Sequence, residues 1–394
     1  MSTAPAYWLV SVPPYTTNNA GSSDNKKQQI FTTIKTLVQD QAELYKFPIP
    51  DFKVGTLDQL VTVTDELAKM DVQFESMTIK IIQNLKSILP PTESALANVS
   101  VNEKTPDQYI RSFQWNTMKY RQDKPIKDIC EVMVQEMTQL DNLIRSKMTS
   151  YNQVKASFGT FERKQTGNLL VKNLSDIVKK EHFVLESEYM DTLVVAVPKF
   201  LQKEWLENYE TLTAMVVPRS TQLIIEDEEH ALYTVTLFKR VAEEFTTKAR
   251  EKKFIVREFR YNAEDIQKEK NQIAEMGASM KEQWSNLLRL LKTNFGEAFA
   301  AWIHVKALRI FVESVLRFGL PPVFQPVVLK PKNKAEKKLR EAFSNYMKNT
   351  PASGSSIMST KFGEQEGLEE ASTILTDKEY YTYAYFPINW DPNK

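Results

Sequence analysis

Three histidines and one cysteine are the residues of this 394-residue chain best suited to proton transfer, metal ligation or nucleophilic attack, and their spacing suits none of these. His182, His230 and His304 are widely separated, no HExxH occurs, and Cys130 has no histidine or second cysteine at zinc-ligand spacing. The chain also lacks GxxxxGK[ST] and GxGxxG, so neither usual phosphate cradle is present. His230 follows Glu226, Asp227, Glu228 and Glu229, but that run has neither the alternating ligands nor the glycine of a calcium loop and reads as a solvated hairpin tip. His304 lies across a helix from the stripe of Lys306, Arg309, Glu313 and Arg317, whose spacing allows ion pairs along it. That placement reads as a buried histidine bonded to backbone. No catalytic residue, metal or cofactor is expected, and the chain is not expected to be an enzyme.

Recognition chemistry is better represented. One basic cluster comprises Lys248, Arg250, Lys252, Lys253, Arg257 and Arg260; a second runs through Lys330 and Lys332 to Lys334, Lys337, Lys338 and Arg340. Solvated faces would explain both clusters, and so would docking patches for acidic helices, so both explanations stay open. Nucleic acid is not expected, because no aromatics interleave the second cluster and 51 basic residues stand against 50 acidic ones.

The elements that would carry these clusters are mostly helical. Ten glycines and a hydrophobic content of 42% fit a helix-rich globular chain, and the length calls for more than one core. Ile126, Cys130, Met133, Met137, Leu140, Ile144, Tyr151, Val154, Phe158 and Phe161 recur at alternating spacings of four and three, broken only at Lys147. A weaker seam recurs at Ile266, Ile273, Met276, Met280, Leu287 and Leu290, with Glu269 and Gln283 at its polar positions. Paired antiparallel, the two would form a rod about 54 Å long, with the intervening residues folded at one end and both chain ends meeting at the other. The fold class expected is therefore α+β and predominantly helical: an elongated dumbbell with a head and a foot joined by a helical coiled-coil neck. The divisions are 1–125 (foot), 126–161 (neck), 162–262 (head), 263–292 (neck) and 293–394 (foot). Cys130, on the seam, reads as a small buried apolar residue.

Elsewhere, Tyr7 to Val12 reads as a strand, 26–46 and 57–89 as helices, and TTNNAGSSDN as a linker. Residues 162–262 are rich in β-branched runs (TLVVAV, TQLII, YTVTLF, KFIVREF), which suggests strand hairpins with helices near 199–211 and 239–252. Residues 297–320 look superficially like a membrane span, but their longest charge-free run is eight residues, so a buried core helix is expected. VFQPVVL reads as a strand, KNKAEKKLREAFSNYMKN as a helix and 350–372 as a linker. The closing EYYTYAYFPI reads as a strand expected to share one sheet with the N-terminal strand. The N-terminus lacks a signal-peptide pattern, so the sequons at Asn98 and Asn173 are not expected to be glycosylated.

Several long strings carry a resemblance: AYWLVSVP at the start, GNLLVKNLSDIVKKEHFVLESEYM at 167–190, MVVPRS at 215–220 and KAREKKFIVREFRYN at 248–262. EAFAAWIHVKALRIFVESVLRFGLP at 297–321, KKLREAF and the terminal EYYTYAYFPI continue it. Together they resemble the C-subunit family of the vacuolar-type proton-translocating ATPase (V-ATPase), with a fungal member expected. The resemblance implies a head, neck and foot, and a non-catalytic stator. That stator bridges peripheral stalks made of the E and G subunits to the cytoplasmic N-terminal domain of the membrane a-subunit, and it leaves both sectors on reversible disassembly. It also implies residence in the cytoplasm and at the cytoplasmic face of the vacuole or endomembranes, peripheral to the membrane through the complex, with a weak actin contact as a further partner. A cytoskeletal or membrane-tether adaptor would use the same rod. The resemblance supplies no functional-residue motif, so the partner-binding candidates remain the basic residues named above.

Overall fold

The computed structural model describes residues 7–14, 23–39, 41–90, 99–185, 187–320, 323–332, 334–350 and 381–390. In chain order the elements are β1 (Tyr7–Val12), α1 (Ser23–Leu37), β2 (Ala42–Lys46), α2 (Leu57–Ile88), α3 (Pro106–Arg111) and α4 (Ile126–Thr166). There follow β3 (Met190–Pro198), α5 (Gln202–Asn208), β4 (Gln222–Glu226), β5 (His230–Phe238), α6 (Ala242–Glu251) and β6 (Ile255–Arg257). The chain closes with α7 (Ala263–Phe318), β7 (Gln325–Pro331), α8 (Glu336–Lys348) and β8 (Ala384–Ile388). It divides into two compact units, one of Met1–Ser146 with Leu287–Lys394 and the other of Lys147–Asn286. Helix and sheet are segregated in both, as in an α+β protein.

The sheet of the first unit runs β2-β7-β1-β8 and that of the second β4-β5-β3-β6, with every pairing antiparallel. Each sheet is assembled in the sequence strand, helix, strand, strand, helix, strand, and in each the order is second-third-first-fourth. Both are therefore split βαβ modules of ferredoxin-like topology. In the first, residues 47–324 fill the position of the hairpin between second and third strands. The correspondence reaches individual side chains. Val10-Ser11-Val12-Pro13 and Val195-Ala196-Val197-Pro198 close the first strand of each module. Trp8, Val10 and Val12 face Ile30 and Ile34 of α1 and Leu339 and Phe343 of α8. Val195 and Val197 face Trp205 of α5 and Phe245 of α6, with the half-buried Leu193 beside them.

β8 pairs along β1, Leu9 opposite Phe386 and Ser11 opposite Ala384, so the N-terminal strand and the closing segment do share one sheet. Helical periodicity misleads at residues 26–46. The helix stops at Leu37 and 42–46 form β2, where Leu44 lies opposite Leu329 of β7. Pairing on an available sheet edge outweighs a short stretch of apolar spacing. The second seam and the apolar stretch at 297–320 are one continuous helix, and α4 runs on to Thr166. From Ala298 to Leu316 nearly every α7 side chain is buried, as expected of a helix apolar on all but one narrow charged stripe. Residues 16–22 of the TTNNAGSSDN linker, residues 351–372 of the second linker and the sequon at Asn98 lie outside the described residues.

Along the first seam, Ile126, Cys130, Met133, Met137 and Ile144 are buried in the first unit, and burial pushes the Cys130 thiol up to about 12. In the second unit, Tyr151 is buried, Val154, Phe158 and Phe161 are half-buried, and Phe158 packs against Gly277 of α7. A Cβ on Gly277 would stand 3.4 Å from the Phe158 ring, an ordinary contact. Replacing a mid-helix glycine by alanine removes about 1 kcal/mol of helix penalty. Gly277→Ala is therefore expected to raise stability in urea unfolding by about 0.5–1 kcal/mol, and a loss would show that the two helices cannot yield at this contact.

Candidate functional site

The ten candidate partner-binding residues separate by environment. In the second unit, Lys248 pairs with Glu244 at 2.6 Å and Lys252 with Glu204 at 3.7 Å, while Arg250, Lys253 and Arg260 are exposed. Arg257 turns inward: its guanidinium donates to the carbonyls of Leu169 and Lys172, the latter at 3.0 Å, and burial lowers its pKa. It pins the segment after α4 to β6. In the first unit, Lys334, Lys337 and Lys338 are exposed, whereas Arg340 lies over the rings of Tyr381 at 4.6 Å, Trp8 at 5.2 Å and Tyr385 at 5.7 Å. The clusters border equivalent helices of the two modules. The first runs off the C-terminal end of α6, and the second leads into α8.

The histidines stay apart. His182 Nδ1 accepts from the Lys179 amide at 3.2 Å, and His230 lies at the β4–β5 tip. There Asp227 accepts from the amides of Leu169, Glu229 and His230 at 2.8, 2.9 and 2.6 Å. Burial works to raise the Asp227 pKa, but these amides outweigh it and hold the carboxyl below its usual range. Glu228 and Glu229 remain exposed. His304 is 2% exposed, donates from Nδ1 to the Ala300 carbonyl at 2.6 Å and accepts at Nε2 from the Asn116 amide at 3.1 Å. Burial holds its pKa at about 4, so the neutral ring is a structural linker. Among the described residues no group of three histidine, cysteine, aspartate or glutamate side chains could hold a metal.

The most concentrated charge chemistry was not visible in the sequence. Asp71 of α2 is 3% exposed; it accepts from Trp302 Nε1 at 2.8 Å, pairs with Lys306 at 2.9 Å and is bonded by Arg309. Burial pulls the Lys306 ammonium below its ordinary value against the attraction of Asp71, and Lys306 also donates to the Pro387 carbonyl at 2.8 Å. Arg317 pairs with Glu313 and donates to the carbonyls of Tyr381 and Tyr383. Of the α7 stripe, then, only Glu313 and Arg317 pair along the helix. Lys306 and Arg309 reach across to α2, because a buried acid there offers a better partner than solvent. A half-open cleft of 640 Å³ lies against this network, between α2, α7 and the β8 segment. The missed signal was an aspartate on the apolar stripe of α2, beside Leu67, Met70 and Phe74.

Two ferredoxin-like modules, inward-turned charges that hold elements together and outward-facing cations define an α+β scaffold with candidate docking faces. Residues 7–384 match the family model for the V-ATPase C subunit. The V-type proton ATPase C subunit of Manduca sexta is 42% identical over 388 residues, covering 98% of each chain. The Danio rerio C 1-A subunit is 41% identical over 97% of each, and the Caenorhabditis briggsae C subunit 41% over 99% of this chain and 98% of its own. The chain belongs to the C-subunit family of the V-ATPase. A solved cytoplasmic N-terminal domain of the V-ATPase I subunit, homolog of the a-subunit, aligns at 12% identity with a TM-score of 0.26, too low to relate the folds.

Removing one partner of a buried ion pair leaves the other uncompensated, at about 3–5 kcal/mol. Asp71→Ala is accordingly expected to destabilise by that amount in urea unfolding; a cost below about 1 kcal/mol would show that the network is dispensable. His304, depressed from 6.5 to about 4 in the fold, takes up a proton more readily when unfolded. Its contribution to stability is whole above pH 6.5 and is lost as pH falls toward 4, by at most about 3 kcal/mol. His304→Gln should flatten that part of the stability–pH curve.

Proposed function

We propose that the chain is a non-catalytic peripheral stator subunit of the V-ATPase. In this reading it bridges the E/G stalks of the catalytic sector to the cytoplasmic N-terminal domain of the a-subunit, and it is required for assembly and for reversible disassembly during ATP-driven proton transport. The observation that carries this is the family match along residues 7–384. The fold adds physical support. Inward-turned charges such as Arg257 and Lys306 hold elements of a scaffold together, and outward cations on α6 and α8 leave surfaces for partners.

The architecture that fits this role is a dumbbell. A foot of 1–125 and 293–394 and a head of 162–262 are joined by an antiparallel coiled-coil neck of 126–161 and 263–292. A stator must carry torque between separated points, and such a rod would do so. Regulated release requires each contact to be moderate, so that the two ends hold together through effective concentration and loss of one greatly weakens the other. No helix among the described residues is long and apolar enough to cross a membrane, which fits attachment at the cytoplasmic face of the vacuole through the complex.

Docking would use the exposed cations. Arg250→Glu with Lys253→Glu, and separately Lys337→Glu with Lys338→Glu, should leave stability within about 0.5 kcal/mol, because these side chains are exposed. Each pair is expected to weaken binding of the full chain to purified E/G heterodimer about tenfold in calorimetry at low salt, and less at high salt. Unchanged affinity for both pairs would remove the basic clusters from the interface.

A further inference from the structure

Of every serine and threonine in the chain, Thr166 alone has cations both three and two residues before it, in Arg163-Lys164-Gln165-Thr166-Gly167. Arginine-directed protein kinases select that pattern, because acids in their substrate groove read positive charge at fixed distances before the hydroxyl. Thr166 is the last residue of α4 and is exposed, as are Arg163 and Lys164. Its Oγ1 donates to the Glu162 carbonyl at 2.9 Å, the Gly167 amide to the Arg163 carbonyl at 3.0 Å, and the Asn173 amide to the Lys164 carbonyl at 2.6 Å. These bonds close a terminal turn, the part of a helix that opens most readily. The segment beyond is held from elsewhere in the same unit. Asp227 takes the Leu169 amide, Arg257 donates to the carbonyls of Leu169 and Lys172, and Glu269 accepts from Asn173 Nδ2 and Ser175 Oγ, both at 2.8 Å. Residues 163–167, the stretch a kinase groove must hold extended, end just short of the first of these pins.

A phosphate at this position would work against the turn. A phosphate ester has no hydroxyl proton to give the Glu162 carbonyl, and it brings a charge of about −1.5 to −2 at pH 7. A helix C-terminus, with its outward carbonyls, favours cations over anions, and the Glu162 carboxylate one turn back on the same face adds repulsion. Arg163 supplies the opposing attraction, but it is exposed, so solvent and salt weaken it. The pins at Leu169, Lys172 and Asn173 use other groups and are untouched, so the opening stops where they begin.

We propose that Thr166 is a phosphorylation site for an arginine-directed serine/threonine kinase, and that the phosphate opens the last turn of α4 as far as the pin at Leu169. In the transfer, Thr166 Oγ1 attacks the γ-phosphorus of ATP and the bond from that phosphorus to the β,γ-bridging oxygen breaks. ADP leaves, and the hydroxyl proton passes to the carboxylate base of the kinase. The modification loosens the joint at which α4 hands over to the ferredoxin-like module of the second unit, and it stands independently of the stator reading.

The test incubates the folded full chain with ATP, magnesium and the catalytic subunit of cyclic-AMP-dependent protein kinase as the arginine-directed probe, and maps the product by mass spectrometry. Phosphate is expected on Thr166 ahead of every other residue, retained at that position in Thr166→Ser, and slowed about tenfold in Arg163→Ala/Lys164→Ala. Each variant is verified as folded by circular dichroism. Undiminished incorporation in Thr166→Ala, or labelling of Thr166 only in heat-denatured chain, would overturn the site. In the phosphorylated chain, hydrogen exchange should quicken about tenfold at the amides of Gly167 and Asn173 and stay unchanged at Leu169, which Asp227 holds. Unchanged exchange at Gly167 and Asn173 would overturn the opening, and faster exchange at Leu169 would overturn its confinement to the last turn.

Discussion

A single carboxylate, Asp71, is the constraint on which the first unit turns. It is buried on α2 and meets Trp302, Lys306 and Arg309, three side chains of α7 that lie within two turns of one another. Burying Lys306 beside the half-buried Arg309 is costly unless both are paired and hydrogen-bonded, so the charged stripe of α7 enters the core where α2 delivers that acid at the right height. Lys306 then donates to Pro387, and Arg317, farther along α7, to Tyr381 and Tyr383. The last strand is thus fixed to the same helix that the acid organises. β8 in turn pairs with β1, and the chain's beginning and end close one sheet.

Duplication of the split βαβ topology gives the chain its second organising feature. The same strand order holds in both units, and the same first-strand ending, Val-Ser-Val-Pro or Val-Ala-Val-Pro, sends alternate side chains into a helix-facing core. What differs is how the modules are finished. Arg257 stands on the fourth strand of one, where Phe386 stands on the other. Each is matched to what covers it: backbone carbonyls of the segment after α4 for Arg257, and the Arg309 guanidinium, 4.2 Å away, for Phe386.

Much of this was legible from residue patterns, and what was not has physical causes. The β-branched runs of 162–262 marked the strands, the heptad spacing marked α4, and alternating tyrosines marked the strand that pairs with β1. The end of α1 was misread because Leu44 keeps helical spacing, while its fate is settled by Leu329, distant in sequence. Individual strands were likewise visible, but not the shared topology, since order and pairing depend on partners that local periodicity does not encode. At the site level, exposed cations were identifiable as cations. Which of them turn inward, as Arg257 does, or sit among aromatic rings, as Arg340 does, follows from three-dimensional neighbours alone.

On the proposed reading, the chain is a component that holds other components, not one that turns over substrate. The most direct measurement is ATP-driven proton pumping in vesicles bearing V-ATPase stripped of its own C subunit, titrated with this chain. A stator should restore pumping in proportion to the amount bound, saturate when chain and complex are equimolar, and remain in the complex. Full recovery at a small fraction of that amount, or none at any amount despite binding, would contradict it.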